Sequence, residues 1–438
     1  MNVQTTSAAD TRSDNETDVA AGESPEALVA RLGAKGRAAQ RVLARLTDAQ
    51  KCEALRAAAA ALRLAEPAIL QANARDVEAG QAKGLTDAML DRLRLDSARL
   101  AGIADAVEQV ATLPDPVGEV ISESERPNGL KLSRVRIPIG LIGIIYESRP
   151  NVTADAAALC LRSGNAVLLR GGSEALHSNR AILTAMVAGL EQAGVPAAAV
   201  QLVPTQDRAV VGAMLTAAGL IDMIVPRGGK SLVARVQADA RVPVLAHLDG
   251  ICHTYVHASA DPEMARGIAL NAKLRRTGIC GSMETLLLDT QFPASAEVVR
   301  ALADAACELR GDARAQALDP RVLPASAEDW DTEYLDAVLS VAVVDGLDAA
   351  MDHVAAHSSH HTDAIVAADP AAADRFLAEV DSAIVMVNAS SQFADGGEFG
   401  LGAEIGIATG RLHARGPVAL EGLTTYKWLV RGTGQERP

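Results

Sequence analysis

The sequence predicts an α/β protein in which helices cover both faces of parallel sheets. The 438 residues are 49% hydrophobic, which supplies a large buried core and favours two or three domains. From residue 137 onward, apolar segments of strand length alternate with helical ones, a rhythm that is typical of parallel sheets buried on both sides. The 35 glycines, together with abundant small aliphatic residues, suit close packing of helix on sheet.

Residues 24–113 come first and are predicted to be helical. Ser24 and Pro25 provide an N-cap followed by proline at the first helical position, and Pro114-Asp115-Pro116 ends the block.

Residues 118–136 predict an exposed hairpin, because period-two alternation follows a turn at Pro127-Asn128-Gly129. The hairpin is either an oligomer arm or an ordinary surface hairpin, and the sequence leaves both interpretations open.

The strands of the α/β part are predicted where apolar runs separate helical segments. In a first unit they fall at 137–146, 166–170, 200–203, 221–225 and 242–248. A second unit begins after His257, with strands at 283–289, 338–344, 364–366 and 383–388. Parallel sheets bind ligands at the carboxyl ends of their strands, so functional residues are expected there.

The composition excludes several functional classes. The chain has 41 basic and 55 acidic residues and a net charge of −14, so we expect no nucleic-acid partner. The longest strongly apolar run, residues 135–146, is too short to span a bilayer, so we expect no membrane association.

The expected location is the cytoplasm. Residues 1–23 are polar and acidic and lack the features of a signal peptide, so they are expected to form a disordered tail. Five cysteines without tight spacing favour a reducing compartment over a disulfide framework.

Two glycine pairs lie at predicted strand ends, in Arg170-Gly171-Gly172-Ser173 and in Pro226-Arg227-Gly228-Gly229-Lys230. Each places glycine and a cation at a helix N-terminus, where free backbone N–H groups suit a phosphate. Neither matches a standard phosphate-binding fingerprint, and each alone is compatible with a plain turn. Their occurrence at two strand ends of one sheet favours phosphate binding.

Cys280 is the best candidate for a nucleophile. It lies in a glycine-flanked loop just after Lys273, Arg275 and Arg276, and nearby positive charge is expected to lower the pKa of its thiol. The same cations suit an anionic substrate, although a solvated helix C-terminus explains them equally well. Cys252 is the weaker alternative.

Two histidine-rich clusters have a metal-like composition. We predict that neither holds a metal, because a metal site usually adds carboxylates or paired thiols in converging geometry. The clusters are His353, His357, His360 and His361, and His247, Cys252, His253 and His257.

Several segments together carry a resemblance to a known family. They include YESRPNVT, DMIVPRGGKSL, HLDGICHTYVH, NAKLRRTGICGSMETLLLD and LHARGPVALEGLTTYKW. With these segments in order, and over essentially the whole chain beyond the tail, the sequence resembles the gamma-glutamyl phosphate reductases of the aldehyde dehydrogenase superfamily.

The resemblance implies an aldehyde dehydrogenase-like fold, with two Rossmann-like three-layer domains and a small β oligomerisation arm. It implies an NADP-binding domain at 24–257, interrupted by the arm at 118–136, and a catalytic domain at 258–410. Residues 411–438 are expected to return to the arm, and the assembly is expected to be a homodimer or a dimer of dimers.

The implied reaction is the NADPH-dependent reduction of L-glutamyl 5-phosphate to L-glutamate 5-semialdehyde and phosphate, the second step of proline biosynthesis from glutamate. The Cys280 thiolate attacks the acyl phosphate, phosphate leaves, and hydride reduces the resulting thioester. A separate glutamate 5-kinase must supply the substrate, so a transient contact with that kinase is also expected.

The resemblance assigns roles to single residues. Cys280 occupies the nucleophile position, and Asn151 is the expected oxyanion donor, with capping of the next helix as the alternative. Serine at 173, in place of an acidic residue, leaves room for a 2′-phosphate and favours NADP over NAD. The expected cofactor-binding residues are Arg170, Gly171, Gly172, Ser173, Arg227, Gly228, Gly229 and Glu333. The candidates for binding the anionic groups of the substrate are Arg149, Arg275, Arg276 and Arg415.

The sequence departs from the wider family at two positions. His247 stands where aldehyde-oxidising relatives have a glutamate base, which fits an enzyme that must not hydrolyse its thioester. Gly281 follows the nucleophile where many members have asparagine. Three other functions stay open: oxidation of another semialdehyde, a non-catalytic nucleotide-binding scaffold and, more remotely, zinc-dependent alcohol oxidation.

Overall fold

The computed structural model describes residues 22–437, so the expected tail at 1–23 lies almost entirely outside the described residues. The α-helices within this range are α1 (Pro25–Leu43), α2 (Asp48–Leu64), α3 (Glu66–Ala82), α4 (Asp87–Leu93), α5 (Ser97–Thr112), α6 (Asn151–Arg162), α7 (Leu176–Gln192), α8 (Ala209–Thr216), α9 (Lys230–Asp239), α10 (Pro262–Leu274), α11 (Ser295–Asp304), α12 (Ala313–Gln316), α13 (Gly346–His357) and α14 (Pro370–Glu379). The strands are β1 (Val120–Glu125), β2 (Lys131–Pro138), β3 (Leu141–Tyr146), β4 (Ala166–Arg170), β5 (Val200–Leu202), β6 (Met223–Arg227), β7 (Cys252–Val256), β8 (Met283–Asp289), β9 (Glu308–Gly311), β10 (Leu323–Pro324), β11 (Val338–Val344), β12 (Thr362–Val366), β13 (Ile384–Val387), β14 (Ile407–Ala408), β15 (Gly416–Pro417) and β16 (Thr424–Arg431).

Helices α1–α5 confirm the helical block predicted at the start of the chain. The Ser24 hydroxyl accepts a hydrogen bond from the Ala27 N–H at 3.2 Å, so it caps α1 as expected. At the start of α2, Thr47 and Gln50 form a reciprocal capping box. These caps satisfy backbone donors that the first turn of a helix leaves unpaired.

The first of two compact units comprises residues 22–112, Pro138–Ile224 and Asp239–Pro243. Its four-stranded sheet has the order β5-β4-β3-β6, and the pairs β3–β4 and β4–β5 are parallel. All residues of β3 are buried, and α1, α6 and α7 pack against strands of this sheet. The carboxyl ends of β3 and β4 lie side by side, where Ile145 pairs with Arg170.

The strand predicted at 137–146 is divided in the structure. Strand β2 ends at Pro138 in a different sheet, and β3 begins at Leu141. Between them Gly140 has a φ of +138°, and a Cβ atom there would overlap the Asp222 carboxylate. That carboxylate accepts a hydrogen bond from the Leu141 N–H at 2.8 Å, so the turn requires glycine.

The strand predicted at 242–248 is wrong, because these residues form no strand. The Pro243 carbonyl accepts a hydrogen bond from the Ile224 N–H at 2.8 Å, but proline has no N–H with which to continue a ladder. The next strand along the chain is β7, which belongs to the other sheet.

The second unit comprises Leu113–Ile137, Val225–Ala238 and residues 244–437. Its seven-stranded sheet has the order β10-β9-β11-β8-β7-β12-β13, and all six pairs are parallel. Strands β7, β8 and β12 are completely buried. The strands predicted at 283–289 and 338–344 are confirmed as β8 and β11.

The boundary expected at residue 257 differs from this division. Residues 225–238 and 244–257 belong to the second unit. The physical reason is that β7 pairs with β8 and β12 at the centre of the seven-stranded sheet. Among residues 22–437, no helix combines the length and the apolar character that crossing a membrane requires.

A three-stranded sheet with the order β1-β2-β16 also belongs to the second unit. Strands β1 and β2 are antiparallel and confirm the predicted hairpin. Arg136 on β2 forms ion pairs with Glu119 at 2.6 Å and with Glu421 at 2.9 Å. The Arg134 guanidinium lies 4.8 Å from the centre of the Tyr426 ring. The end of the chain is therefore joined to the hairpin by pairing, charge and a cation–π contact.

Candidate active site

Cys280 lies in the loop that connects α10 to β8, and glycines hold this loop close to its neighbours. A Cβ atom at Gly250 would overlap the carbonyl of Cys280, and one at Gly281 would lie 3.0 Å from the Ser391 carbonyl oxygen. The loop is thus held between two segments that approach its backbone directly. An asparagine at 281, expected from the resemblance, would require the 391 segment to move.

The other cysteines are less suited to act as nucleophiles. Cys160, Cys252 and Cys307 are buried, whereas Cys280 is partly exposed. Burial raises the pKa of Cys307 to about 12 and that of Cys160 further. Cys52 is also partly exposed, but its thiol donates a hydrogen bond to the Ala111 carbonyl at 3.0 Å.

The expected lowering of the Cys280 pKa is wrong. Burial, with the carboxylates of Glu333 and Glu404 adding to it, raises the pKa of Cys280 to about 11, and Arg227 opposes this rise. The predicted cation Lys273 is fully buried, and its ammonium bonds the Glu284 carboxylate at 2.6 Å.

The two neighbouring arginines are not among the main influences on the pKa of Cys280. Arg275 and Arg276 are exposed, and Arg275 reaches the Gln392 side chain at 3.4 Å. They remain candidates for binding anionic groups of the substrate.

Two histidines from different predicted clusters meet at Cys280. One ligand atom each from His247, Cys280 and His361 lies within 4.8 Å of the other two. The His247 Nδ1–H donates to the Ile407 carbonyl at 2.8 Å, which leaves Nε2 as the ring nitrogen with a free lone pair. Burial lowers the pKa of His247 below its ordinary value, so this imidazole is neutral at pH 7.

The structure brings neither predicted histidine cluster together as a whole. His353 packs against His357 of its own cluster and against His253 of the other, at centroid distances of 4.7 and 5.5 Å. His361 directly precedes β12, and its ring is 5.1 Å from that of His247.

The second glycine turn lies where β6 ends and α9 begins. Both of its flanking cations contact other segments of the protein. Lys230 forms an ion pair with Asp249 at 2.9 Å. A Cβ atom at Gly406 would lie 2.6 Å from the Arg227 guanidinium, so glycine lets that side chain pass. In the same unit, the Glu333 carboxylate accepts a hydrogen bond from the Gly250 N–H at 3.0 Å. This turn is therefore linked to the segment that contacts Cys280.

The first glycine turn follows β4 in the other unit. The Arg170 guanidinium donates to the Gly171 carbonyl at 2.9 Å and to the Gln206 carbonyl at 3.1 Å. Gly172 precedes a 3₁₀ turn at Ser173–Ala175, and α7 begins only after it. The sequence predicted a helix N-terminus at this glycine turn. In the structure, one tight turn separates the glycines from the start of α7.

Asn151 is the first residue of α6, and its side-chain N–H donates to the Asp155 carboxylate at 2.8 Å. The alternative role as a helix cap is wrong, because Pro150 occupies the N-cap position and α6 has no side-chain cap. Arg415 is engaged by the fold: its guanidinium bonds Asp381 at 2.7 Å and the Thr409 carbonyl at 3.2 Å. Arg149 also makes interactions within the protein.

Comparison with known proteins identifies the family. Residues 11–320 match the model of the aldehyde dehydrogenase family. A gamma-glutamyl phosphate reductase of Novosphingobium aromaticivorans is 76% identical over 411 residues, which cover 94% of this chain and 97% of that protein. The corresponding protein of Sphingopyxis alaskensis is 68% identical, with 94% and 96% of the two chains covered. This chain belongs to the gamma-glutamyl phosphate reductase family of aldehyde dehydrogenases.

Solved structures agree with this assignment. The crystal structure of the gamma-glutamyl phosphate reductase of Thermotoga maritima superposes with a TM-score of 0.92 at 42% identity, covering 94% of this chain and all of that one. An acetylating aldehyde dehydrogenase of Geobacillus thermoglucosidasius, at 17% identity and a TM-score of 0.67, shares the fold over 94% of this chain. The resemblance and the aldehyde dehydrogenase-like fold expected from the sequence are confirmed. The chain is an oxidoreductase of the gamma-glutamyl phosphate reductase family.

Sequence reasoning missed two residues that surround Cys280 in this reductase-family fold. His361 was grouped with a helical cluster, although its place directly before β12 brings it to His247. Glu404, whose carboxylate accepts a hydrogen bond from the Gly396 N–H at 3.0 Å, raises the pKa of Cys280 from a glycine-rich loop. The strand predicted at 364–366, which follows closely after His361, was the available signal for the first, and no spacing pointed to the second.

Proposed function

We propose that this chain reduces L-glutamyl 5-phosphate to L-glutamate 5-semialdehyde and inorganic phosphate with NADPH, the second step of proline biosynthesis from glutamate. The name of the relatives with 76% and 68% identity supports the reaction class. The observation that carries the proposal is the placement of Cys280, a partly exposed thiol beside a neutral histidine.

The turn after β4 offers contacts for the adenosine end of a nicotinamide dinucleotide. In the first unit, Arg170 Nε is buried and has no hydrogen-bond partner among the described residues. Burial lowers the pKa of Arg170, the Glu174 carboxylate opposes this, and the neighbouring positive charge of Arg208 adds to the lowering. A 2′-phosphate would satisfy both cations, which supports NADPH over NADH. We therefore propose that Arg170, Gly171, Gly172 and Ser173 hold the adenosine end.

The remaining cofactor residues belong to the second unit. The Glu333 carboxylate already accepts the Gly250 N–H, and a carboxylate has further lone pairs for ribose hydroxyls. Gly229 leaves open space above its backbone, so a ligand can approach the peptide directly. We propose that Arg227, Gly228 and Gly229 lie against the pyrophosphate and nicotinamide. When bound, NADPH supplies the hydride for the reduction.

The proposed chemistry of the chain begins at the Cys280 sulfur. Because the pKa of Cys280 is raised, the thiol must lose its proton during the attack, and His247 Nε2 is placed to accept it. The sulfur forms a thioester with the acyl carbon, the bond from that carbon to the phosphate oxygen breaks, and phosphate leaves. The resemblance makes Asn151 the proposed oxyanion donor: its amide has two N–H donors, and the Asp155 carboxylate accepts one of them.

Exposed guanidinium groups supply the proposed contacts to the substrate. Arg275 and Arg276 lie a few residues before Cys280, and charge-assisted hydrogen bonds suit the phosphate and the α-carboxylate. Arg149 is the further candidate. The Arg415 guanidinium is held by Asp381, which favours a structural role for that residue.

The test is phosphate-dependent reduction of NADP by glutamate semialdehyde, which follows the reaction in reverse. Cys280→Ala should bind NADPH normally but lose turnover by about 10³-fold or more, because no thioester can form. Cys52→Ala is the matched control, since Cys52 is also partly exposed, and it should keep the rate of the unmodified chain.

Three outcomes would contradict the proposal. Full turnover in Cys280→Ala would show that Cys280 is not the nucleophile. Oxidation that proceeds without phosphate would favour an ordinary aldehyde dehydrogenase. NADPH binding without turnover in the unmodified chain would favour a nucleotide-binding scaffold.

We also propose that the sheet β1-β2-β16 is the oligomerisation arm of a homodimer or a dimer of dimers. The exposed side chains of Tyr426, Trp428 and Val430 on β16 support this role. Light scattering on a Trp428→Lys variant should show a smaller particle than the unmodified chain, and an unchanged mass would contradict it.

A further inference from the structure

His247, Cys280 and His361 form a converging set of soft ligand atoms. One atom from each lies within 4.8 Å of the other two, and the three residues come from separate parts of the second unit. Two imidazole nitrogens and a thiolate are the ligand types that proteins use for Zn²⁺. The proposed reaction uses the sulfur and one histidine and gives no role to His361.

A hydrogen bond orients the His247 ring as metal ligands are usually oriented. The His247 Nδ1–H donates to the Ile407 carbonyl at 2.8 Å, so Nε2 is free to coordinate. In metal sites the second ring nitrogen commonly donates to a carbonyl in this way, which fixes the tautomer and the ring plane.

His361 supplies an independent observation. Its side chain is completely buried, and its Nδ1 faces the Thr362 hydroxyl at 2.9 Å and the Cys252 sulfur at 3.7 Å. Its Nε2 is buried without any hydrogen-bond partner among the described residues. A buried polar atom without a partner is costly, so a group that binds it there stabilises the protein.

We infer that His247, Cys280 and His361 bind a thiophilic divalent cation of the Zn²⁺ type, with the Cys280 sulfur and the two Nε2 atoms as ligands. A tetrahedral zinc ion holds neighbouring ligand atoms about 3.5 Å apart, so the set closes by roughly 1 Å on binding. The Cys280 thiol releases its proton to solvent as the sulfur–zinc bond forms. A water molecule or an anion completes the fourth position.

Occupation of this site removes the nucleophile, so the bound ion inhibits the enzyme. That consequence rests on the proposed function, whereas the binding itself does not. Cys252 lies on the Nδ1 side of the His361 ring, opposite the coordinating nitrogen, and is not a ligand. The ligand set contains no carboxylate, so Mg²⁺ and Ca²⁺ should not bind there.

The test uses the full chain without an affinity tag and titrates it with Co²⁺, a spectroscopic substitute for Zn²⁺. The unmodified chain should bind one ion per chain and show a thiolate-to-cobalt charge-transfer band. Zn²⁺ should displace the cobalt and inhibit turnover, and a chelator should restore the rate.

Two variants make the test specific. His361→Gln should bind the ion at least about tenfold more weakly than the unmodified chain. His357→Gln is the matched control, because His357 is a partly exposed histidine paired with Asp331, and its affinity should not change. If His361→Gln fails to fold, Cys280→Ala serves instead and should lose the charge-transfer band.

Equal metal affinity in His361→Gln and the unmodified chain would overturn the inference. A cobalt spectrum without a thiolate band, or one that persists in Cys280→Ala, would overturn it as well. Because binding is measured without substrate, these outcomes are separate from a failure of the proposed reaction.

Discussion

The two turns with the sequence Arg-Gly-Gly are alike in the sequence and opposite in the structure. In the turn after β4, the glycines are crowded: a Cβ atom at Gly171 would overlap the Asn179 amide, and one at Gly172 would overlap the Glu174 carboxylate. In the turn after β6, Gly229 has no atom near the position of a Cβ.

The cations that flank the two turns also differ in the groups on which they act. In the second turn Arg227 opposes the rise of the Cys280 pKa, and Lys230 pairs with Asp249. In the first turn Arg170 bonds backbone carbonyls of its own surroundings. The first turn needs glycine for its packing, whereas the second has room for a Cβ atom at Gly229, so a shared motif does not imply a shared role. Substitutions at matched positions test this contrast.

The largest effect is expected for Gly171→Ala. The new methyl group would enter a buried hydrogen-bonded network in which the Thr153 hydroxyl joins Tyr146 at 2.7 Å to Asn179 at 3.1 Å. Overpacking of this kind costs about 1–3 kcal/mol, so the free energy of unfolding should fall by that amount and NADPH affinity should fall with it. Urea denaturation and NADPH titration measure the two effects. Unchanged stability would mean that the first turn is not crowded.

Arg170→Ala should come next and should act on cofactor choice. Loss of a charge-assisted hydrogen bond to a 2′-phosphate should raise the KM for NADPH about tenfold and leave the KM for NADH nearly unchanged. Arg180→Ala is the control, because Arg180 bonds the exposed Pro204 carbonyl. Equal increases for both cofactors would assign Arg170 to the fold alone.

A smaller effect is expected for Arg227→Met. The Arg227 cation lowers the pKa of Cys280, so its removal raises that pKa further above the ordinary value and reduces the thiolate fraction at neutral pH. The rate of alkylation by iodoacetamide should fall about three- to tenfold, and its pH profile should move to higher pH. Arg266→Met, which removes an exposed partner of Glu263, should leave the profile in place. A shift of the alkylation profile to lower pH would contradict the inference that Arg227 lowers the pKa of Cys280.

Gly229→Ala should have the smallest effect. Because the space around a Cβ there is open, the free energy of unfolding should change by less than about 0.5 kcal/mol. The denaturation midpoint compared with that of Gly171→Ala is the direct measure of the contrast. A loss as large as that of Gly171→Ala would show that the two turns are packed alike.

The sequence was sufficient for elements whose pattern is local. The period-two hairpin, the capped helix α1 and the apolar strands β8 and β11 are where the patterns predict them. The strand predicted at 242–248 failed because apolar composition does not reveal that Pro243 ends a ladder. The division at Gly140 depends on the Asp222 carboxylate, which is more than 80 residues distant in sequence.

The candidate site shows the same limit. The glycine-flanked loop identified Cys280, but the sign of its pKa shift depended on burial and on carboxylates remote in sequence. Lys273 lies close to Cys280 in sequence, yet Glu284 neutralises it in the core. Proximity along the chain therefore indicates which residues are near, and the three-dimensional environment decides which charges act.

The pairing of β2 with β16 has a consequence for biosynthesis. About 285 residues separate the two strands, so at roughly 5–20 residues per second a ribosome needs about 15–60 s to deliver the second after the first. During that interval one edge of β2 has no partner and is open to pairing with other nascent chains. Loss of the last fifteen residues, which include β16, would make that exposure permanent.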